Sequence, residues 1–211
     1  MPVTPSALRL SELLAARLCH DLASSVGVLA GLLEMAAEAT DPAVLAAARA
    51  ASVGLVRQLR LFRAAWAIDP GSLSVAGLEA LTEGMGKTGR LRLDFSGLAR
   101  QPNFPPAAGR LVLNLLLLGG EALRGQGELH LSGAPDGQVA LRIAGPAAAW
   151  PTGMAACLLQ PEMAWAQLAD PRTIQMPLTV LLAAQAGLRL SMLLPMTAAM
   201  TAPPPVLLQI A

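Results

Sequence analysis

Residues 5–38 read PSALRLSELLAARLCHDLASSVGVLAGLLEMAAE, and nothing in that stretch stops a helix. Thr4-Pro5-Ser6 offers a cap and a proline suited to a first turn. Leu10, Leu14, Leu18, Leu22, Leu29, Leu32 and Leu33 recur at three- and four-residue steps, the spacing of one helical face. Asp41-Pro42 opens a second helix that should run to about Trp66, with Val44, Leu45, Val53, Val56, Leu59 and Phe62 as apolar positions. Asp69-Pro70-Gly71 ends it. Two helices of roughly 25 to 30 residues with a tight connection form an antiparallel hairpin. A hairpin alone buries one side only, so the pattern predicts that two chains pair their hairpins into a four-helix bundle.

Outward from the hairpin the texture changes. Residues 90–95, 127–132 and 138–143 alternate in polarity and read as strands, with Asp136-Gly137 as a turn. Helical stretches lie at about 76–84, 106–124 and 174–186, and residues 188–194 and 206–210 read as closing strands. Thr201 to Pro205 reads as a proline-rich loop. Helices with antiparallel strands in this order predict a two-layer α+β sandwich. The expected organisation is therefore α+β: a helical dimerisation hairpin at 1–69 and an α/β sandwich at 70–211.

Composition narrows the function. Of 211 residues, 54% are hydrophobic, 14% charged and 3% aromatic, and the net charge is +1. No basic stripe interleaves with aromatics, which speaks against nucleic-acid binding. Cys19 and Cys157 fit neither a disulfide framework nor a metal knuckle, so a reducing compartment is expected. The apolar runs 22–35, 111–120 and 178–194 are short or interrupted by polar residues, and the N-terminus lacks a basic region followed by an apolar core. The expectation is a cytoplasmic protein without a membrane span, its surplus apolarity serving a homodimer interface.

His20 is the sharpest chemical feature. At about 100° per residue it falls well away from the centre of the leucine stripe, on an exposed flank in mid-helix. Neutral imidazole is well populated near pH 7 and can act as a nucleophile. The adjacent Asp21 could hold one ring nitrogen as N–H and leave the other free to attack. Ala23, Gly27 and Ala30 lie on the same flank and leave room for a partner helix. If the hairpin turns near residues 39–40, Arg57 and Arg60 come level with His20 and could attract an acidic surface or a phosphoryl group. His130, between Leu129 and Leu131, reads as a solvent-facing strand residue. Gly84, Gly86 and Gly89 around Lys87 do not match a phosphate-binding loop and read as a turn.

The segment Leu18-Cys19-His20-Asp21-Leu22-Ala23-Ser24-Ser25-Val26-Gly27 resembles the phospho-accepting helix of the ChpT-like histidine phosphotransferases. That family reads Cys-His-Asp-Leu, a short spacer and Pro-Val-Gly; Ser25 stands here at the proline, which implies a straighter helix. Residues 111–123, with Asn114 and Glu121, resemble the asparagine-containing helix of histidine-kinase ATP-binding domains. The later asparagine that assists magnesium in those kinases is Leu118 here, and Ala144-Gly145-Pro146-Ala147 stands where they carry an Asp-x-Gly-x-Gly loop. Residues 172–190 resemble the last helix and strand of that domain.

The resemblance implies a phosphorelay protein. His20 would be the phosphoacceptor and Asp21 would orient its ring. Arg17, Ala23, Ser24, Gly27, Arg57 and Arg60 would form the receiver-docking face. The partners implied are receiver domains of a hybrid histidine kinase and of response regulators. It implies no cofactor on this chain, no ATP and no metal site, the Mg²⁺ being held by the receiver. Two rival readings remain on the same residues: an ATP-dependent histidine kinase, against which Leu118 and the missing aspartate stand, and a non-catalytic adaptor that binds receivers or kinases.

Overall fold

The computed structural model describes residues 5–38, 41–66, 71–85, 90–98, 103–134, 137–193 and 202–210. Its longest element is helix α1, Pro5–Glu38, which runs unbroken through Ser25. Helix α2, Pro42–Trp66, packs along it. Asp41 caps α2: its carboxylate accepts the Ala43 N–H at 2.8 Å, satisfying one of the open donors of the first turn. Ser25 Oγ donates to Gln58 Oε1 at 2.9 Å and ties the two helices at mid-length. The position that departs from the family's proline is thus a hydrogen-bonding link within the hairpin.

The hairpin hides little of its own apolar surface. Leu33, Met35, Val53, Val56 and Leu59 are each between 42% and 55% exposed. By length and composition, residues Ser6–Glu38 could also cross a membrane. The same helix, however, is bound to the rest of the chain. Leu13 is buried against Leu168 and Ile174, and Arg9 donates to the Ala169 carbonyl at 3.1 Å.

Beyond the hairpin come strand β1 (Leu73–Ser74), helix α3 (Val75–Thr82), strand β2 (Leu91–Gly97), strand β3 (Asn103–Phe104) and helix α4 (Pro106–Ala122). Then follow β4 (Gly127–Gly133), β5 (Gln138–Ala144), helix α5 (Met154–Leu159), two 3-10 turns at Pro161–Gln167 and Pro171–Thr173, helix α6 (Gln175–Gln185), β6 (Arg189–Met192) and β7 (Val206–Gln209). Five strands form one sheet in the order β2-β4-β5-β7-β6, and β1 pairs with β3 in a short ladder. Leu129, Leu131, Val139, Leu141, Val206 and Leu208 supply the sheet's buried side, which α4 and α6 help to cover. The polar side chains Arg92, Asp94, Ser96 and Arg142 stay exposed. Gly119 lets α4 settle closely on the sheet, since a Cβ there would stand 2.5 Å from Leu129 Cδ2.

The architecture is the expected α+β one, with one topological correction. β2 and β4 are parallel, whereas antiparallel pairing was anticipated throughout; the remaining strand pairs of the sheet are antiparallel. The cause lies between them, where α4 serves as the crossover that brings the chain back in the same direction. The elements that sequence reading missed, β1, β3, α5 and the 3-10 turns, are too short to develop a period. Thr4, Asp69-Pro70, Gly86-Lys87, Gly89, Asp136 and Thr201, read as cap, stop and turn residues, lie outside the described residues, as does the expected division at 69.

Candidate functional site

His20 sits in mid-helix on α1 with its side chain 61% exposed. Its Nδ1 lies 3.2 Å from Asp21 Oδ1. When Nδ1 carries the ring proton, Asp21 accepts it and the Nε2 lone pair has no hydrogen-bond partner among the described residues. Asp21 itself is fixed from behind. Its other oxygen, Oδ2, accepts from Arg17 Nε at 2.6 Å, one turn earlier on the helix.

Arg17 reaches from the hairpin into the α+β unit. Its Nη2 donates to Glu121 Oε1 on α4 at 2.7 Å, and its Nη1 lies 3.4 and 3.3 Å from the carbonyls of Pro171 and Arg172. Burial works against the charged guanidinium, but Asp21 and Glu121 outweigh it and leave its pKa raised. Burial pushes the Glu121 carboxyl above its ordinary value, and Arg17 pulls the other way without cancelling the rise. Arg17, expected on the docking face, is therefore turned inward, with its donors spent on the neighbouring unit. Neither it nor Glu121 was read from sequence as part of this arrangement. The four-residue spacing of Arg17 and Asp21 was a visible signal for half of it; the contact with Glu121 is long-range and had none.

The other expected docking residues divide. Ala23, Ser24 and Gly27 are exposed, and a Cβ added at Gly27 would meet nothing within 4 Å, so the flank beside His20 is open. Arg57 donates to Glu83 Oε1 at 2.8 Å across to the end of α3. Arg60 is exposed. The Ser25–Gln58 hydrogen bond sets a hairpin register that brings Arg63, not Arg57 or Arg60, level with His20. The expected alignment is thus displaced by about one turn, because the pairing is offset from a turn centred on 39–40. Between α2, α3 and α4 lies a cleft of about 430 Å³. It opens beside Asp21, with Leu61, Phe62, Met85 and Leu117 among its apolar lining and Arg57 and Arg124 among its basic lining.

Asn114, the residue aligned by resemblance with the kinase asparagine, is wholly buried. Its Nδ2 donates to the Ala65 carbonyl at 2.7 Å and to the Arg110 carbonyl at 2.8 Å. Its Oδ1 accepts from Gln175 Nε2 at 2.9 Å. Thr179 completes the buried group, donating to the Gln175 carbonyl at 2.6 Å. Arg110 Nε adds a second donor to Ala65 at 3.2 Å. This set closes open carbonyls at the end of α2. Leu118 is packed in the core with no exposure, and residues 144–147 carry no carboxylate. Among the described residues no three His, Cys, Asp or Glu side chains are grouped to hold a metal ion. His130 lies on β4 with Nδ1 2.8 Å from Asp94 Oδ2, on the polar side of the sheet.

The site is thus an exposed histidine on a helical hairpin, backed by an α+β unit whose asparagine is spent on packing. A family model described as the histidine phosphotransferase C-terminal domain matches residues 75–197, and the chain belongs to that family. It is 28% identical over 200 residues to the protein phosphotransferase ChpT of Brucella abortus (strain 2308), covering 90% of this chain and 93% of that protein. A solved structure described as a bacterial phosphotransferase shares the fold, with a TM-score of 0.72 and 21% identity over 99% of this chain and 100% of the other.

Proposed function

We propose that this histidine phosphotransferase accepts a phosphoryl group on His20 from a receiver-domain aspartate and passes it to a second receiver, that of a response regulator. The observation that carries the reading is the state of His20: exposed, with Nδ1 against Asp21 and Nε2 without a partner among the described residues. The Nε2 lone pair attacks phosphorus in line with the carboxylate oxygen of the receiver's acyl phosphate. The N–P bond forms as the O–P bond breaks, and the aspartate leaves as a carboxylate. Nδ1 keeps its proton, so the ring gains positive charge, and Asp21 offsets it. Transfer back out to the second receiver reverses these events. Such chemistry is largely positioning and electrostatics, and the Mg²⁺ it needs belongs to the receiver's acidic pocket.

Ala23, Ser24 and Gly27 give the receiver a close approach beside His20, and Arg57 and Arg60 face its acidic surface. Arg17 is a positioning residue in this scheme, since its donors are already engaged. The exposed apolar side of the hairpin supports a homodimer built as a four-helix bundle, and a cytoplasmic location follows from these partners. The reading assigns ATP no role, and it is supported by Asn114 being engaged with Ala65 and Gln175, by Leu118 lying in the core and by residues 144–147 carrying no aspartate.

The deciding experiment offers the protein a panel of radiolabelled phospho-receivers and, separately, labelled ATP with Mg²⁺. The expected result is acid-labile label from a receiver, none from ATP, and none in His20→Gln. Label taken directly from ATP would make the protein a kinase. Receivers that bind without ever transferring label would make it an adaptor.

A further inference from the structure

We infer that Glu121, contributed by the α+β unit, is a positioning residue for His20 and acts on the imidazole through Arg17 and Asp21. The inference rests on the phosphotransfer reading above.

Four side chains stand in line. Glu121 Oε1 accepts from Arg17 Nη2 at 2.7 Å, Asp21 Oδ2 accepts from Arg17 Nε at 2.6 Å, and Asp21 Oδ1 faces His20 Nδ1 at 3.2 Å. Their side-chain exposure falls from 61% at His20 to 18% at Asp21 and Arg17, and is 28% at Glu121. Solvent therefore screens the inner three only in part.

The charges explain why the fourth member matters. Asp21 serves the reaction by holding Nδ1–H and by offsetting the positive charge the ring gains. Arg17 fixes Asp21 in place, but its own charge cancels the carboxylate's effect on the ring. Glu121 cancels Arg17 in turn, so Asp21 is held rigidly and still presents a net negative charge to His20. The Pro171 and Arg172 carbonyls beside Arg17 Nη1 work in the same sense. The other charged groups lining the neighbouring cleft are Arg57, paired to Glu83, and Arg124. They lie outside the line, and both would add positive potential if Glu121 were neutralised. The α+β unit thus supplies a charge to the chemistry at a histidine it does not carry.

The test uses the full-length chain as Glu121→Gln, which preserves shape and one hydrogen bond to Arg17, and as Arg17→Gln/Glu121→Gln. Two quantities are read. The first is the single-turnover transfer rate from a phospho-receiver, resolved into its saturating value and its half-saturating concentration. The second is the ¹⁵N signals of the His20 ring through a pH titration, with His130 assigned by substitution. Glu121→Gln should lower the saturating rate roughly threefold to tenfold and leave half-saturation unchanged, as expected for an interaction that acts on the transition state and not on docking. It should also move the imidazole midpoint to lower pH, because the line loses one negative charge. The double variant should move the midpoint back up, to the wild-type value or above it, because the Arg17 charge it loses stands nearer the ring than the Glu121 charge; a purely structural role would not do this. A wild-type rate and midpoint in Glu121→Gln, or a change in half-saturation alone, would overturn the inference. If the wild-type protein took no label from any receiver, the phosphotransfer reading would fail, while the ring titration would still decide whether Glu121 acts on His20.

Discussion

The chain's two histidines carry the same first partner, an aspartate at Nδ1, yet they stand in opposite situations. At His130 the carboxylate is the neighbouring strand's Asp94, 2.8 Å away, and the pair lies across a sheet ladder. Hydrogen bonds from the side chain and the backbone N–H of Ser96, then from His130, pull the Asp94 carboxyl down to about 2. Because the folded state holds this acid below its ordinary value of 3.8, its stabilising contribution is complete above that pH and disappears as the pH falls toward about 2. Asp94→Asn should therefore be less stable than the parent above about pH 4, with the margin closing between about 4 and 2. Urea midpoints measured across that range check it; a margin that persisted at pH 2 would mean the carboxylate's charge is not its source. At His20 the aspartate is a sequence neighbour on an open helix flank, and its far side is anchored by Arg17. His20 and Asp21 were legible because a ten-residue stretch contains them both. The anchor was not, since nothing in the residues around position 121 states which distant helix they will meet.

At the scale of elements, the helices were read more fully than the sheet. Leucine spacing and Asp41-Pro42 located α1 and α2 almost to the residue, because long periodic segments average out local ambiguity. Alternation located β2, β4 and β5 as well, but it carries no information on strand direction, and the parallel β2–β4 pair followed from the crossover helix between them. Helix α4 also acquired a role its motif did not suggest. Asn114 lies buried where α2 ends, and its amide joins Ala65, Arg110 and Gln175. Asn114→Ala would leave Gln175 Nε2 with only its longer bonds, to Thr179 Oγ1 at 3.3 Å and the residue-114 carbonyl at 3.2 Å, and take the shortest donor from the Ala65 carbonyl. The expected loss is about 2–4 kcal/mol, measured by denaturant unfolding, from desolvated groups left unmatched. The variant should still accept phosphoryl on His20 below its unfolding midpoint, because the site touches none of these atoms. A loss under about 0.5 kcal/mol would show that Arg110 alone suffices at the end of α2.

For the molecule as a whole, the unspent apolar side of the hairpin is what the proposed homodimer would use. Val53 and Val56 are each 45% exposed on α2, and Leu33 and Met35 on α1 are 52% and 55% exposed. Patches of this kind mark protein interfaces, and the surplus hydrophobicity of the sequence points the same way. If the proposed dimer pairs these faces, Val56→Glu should yield a monomer in sedimentation where the parent is a dimer, with a penalty of about 3 kcal/mol or more, over a hundredfold in association, from placing an unpaired charge in the seam. Sedimentation as a dimer by both forms would put the dimer interface elsewhere.

The end of α2 has one more consequence. The carbonyls of Ala65 and Trp66 are closed by Asn114 and Arg110, residues of a different layer. The hairpin is therefore not a portable cassette. Cut out and grafted onto another effector, it would arrive with a frayed last turn and with Arg17 deprived of its distant acceptors.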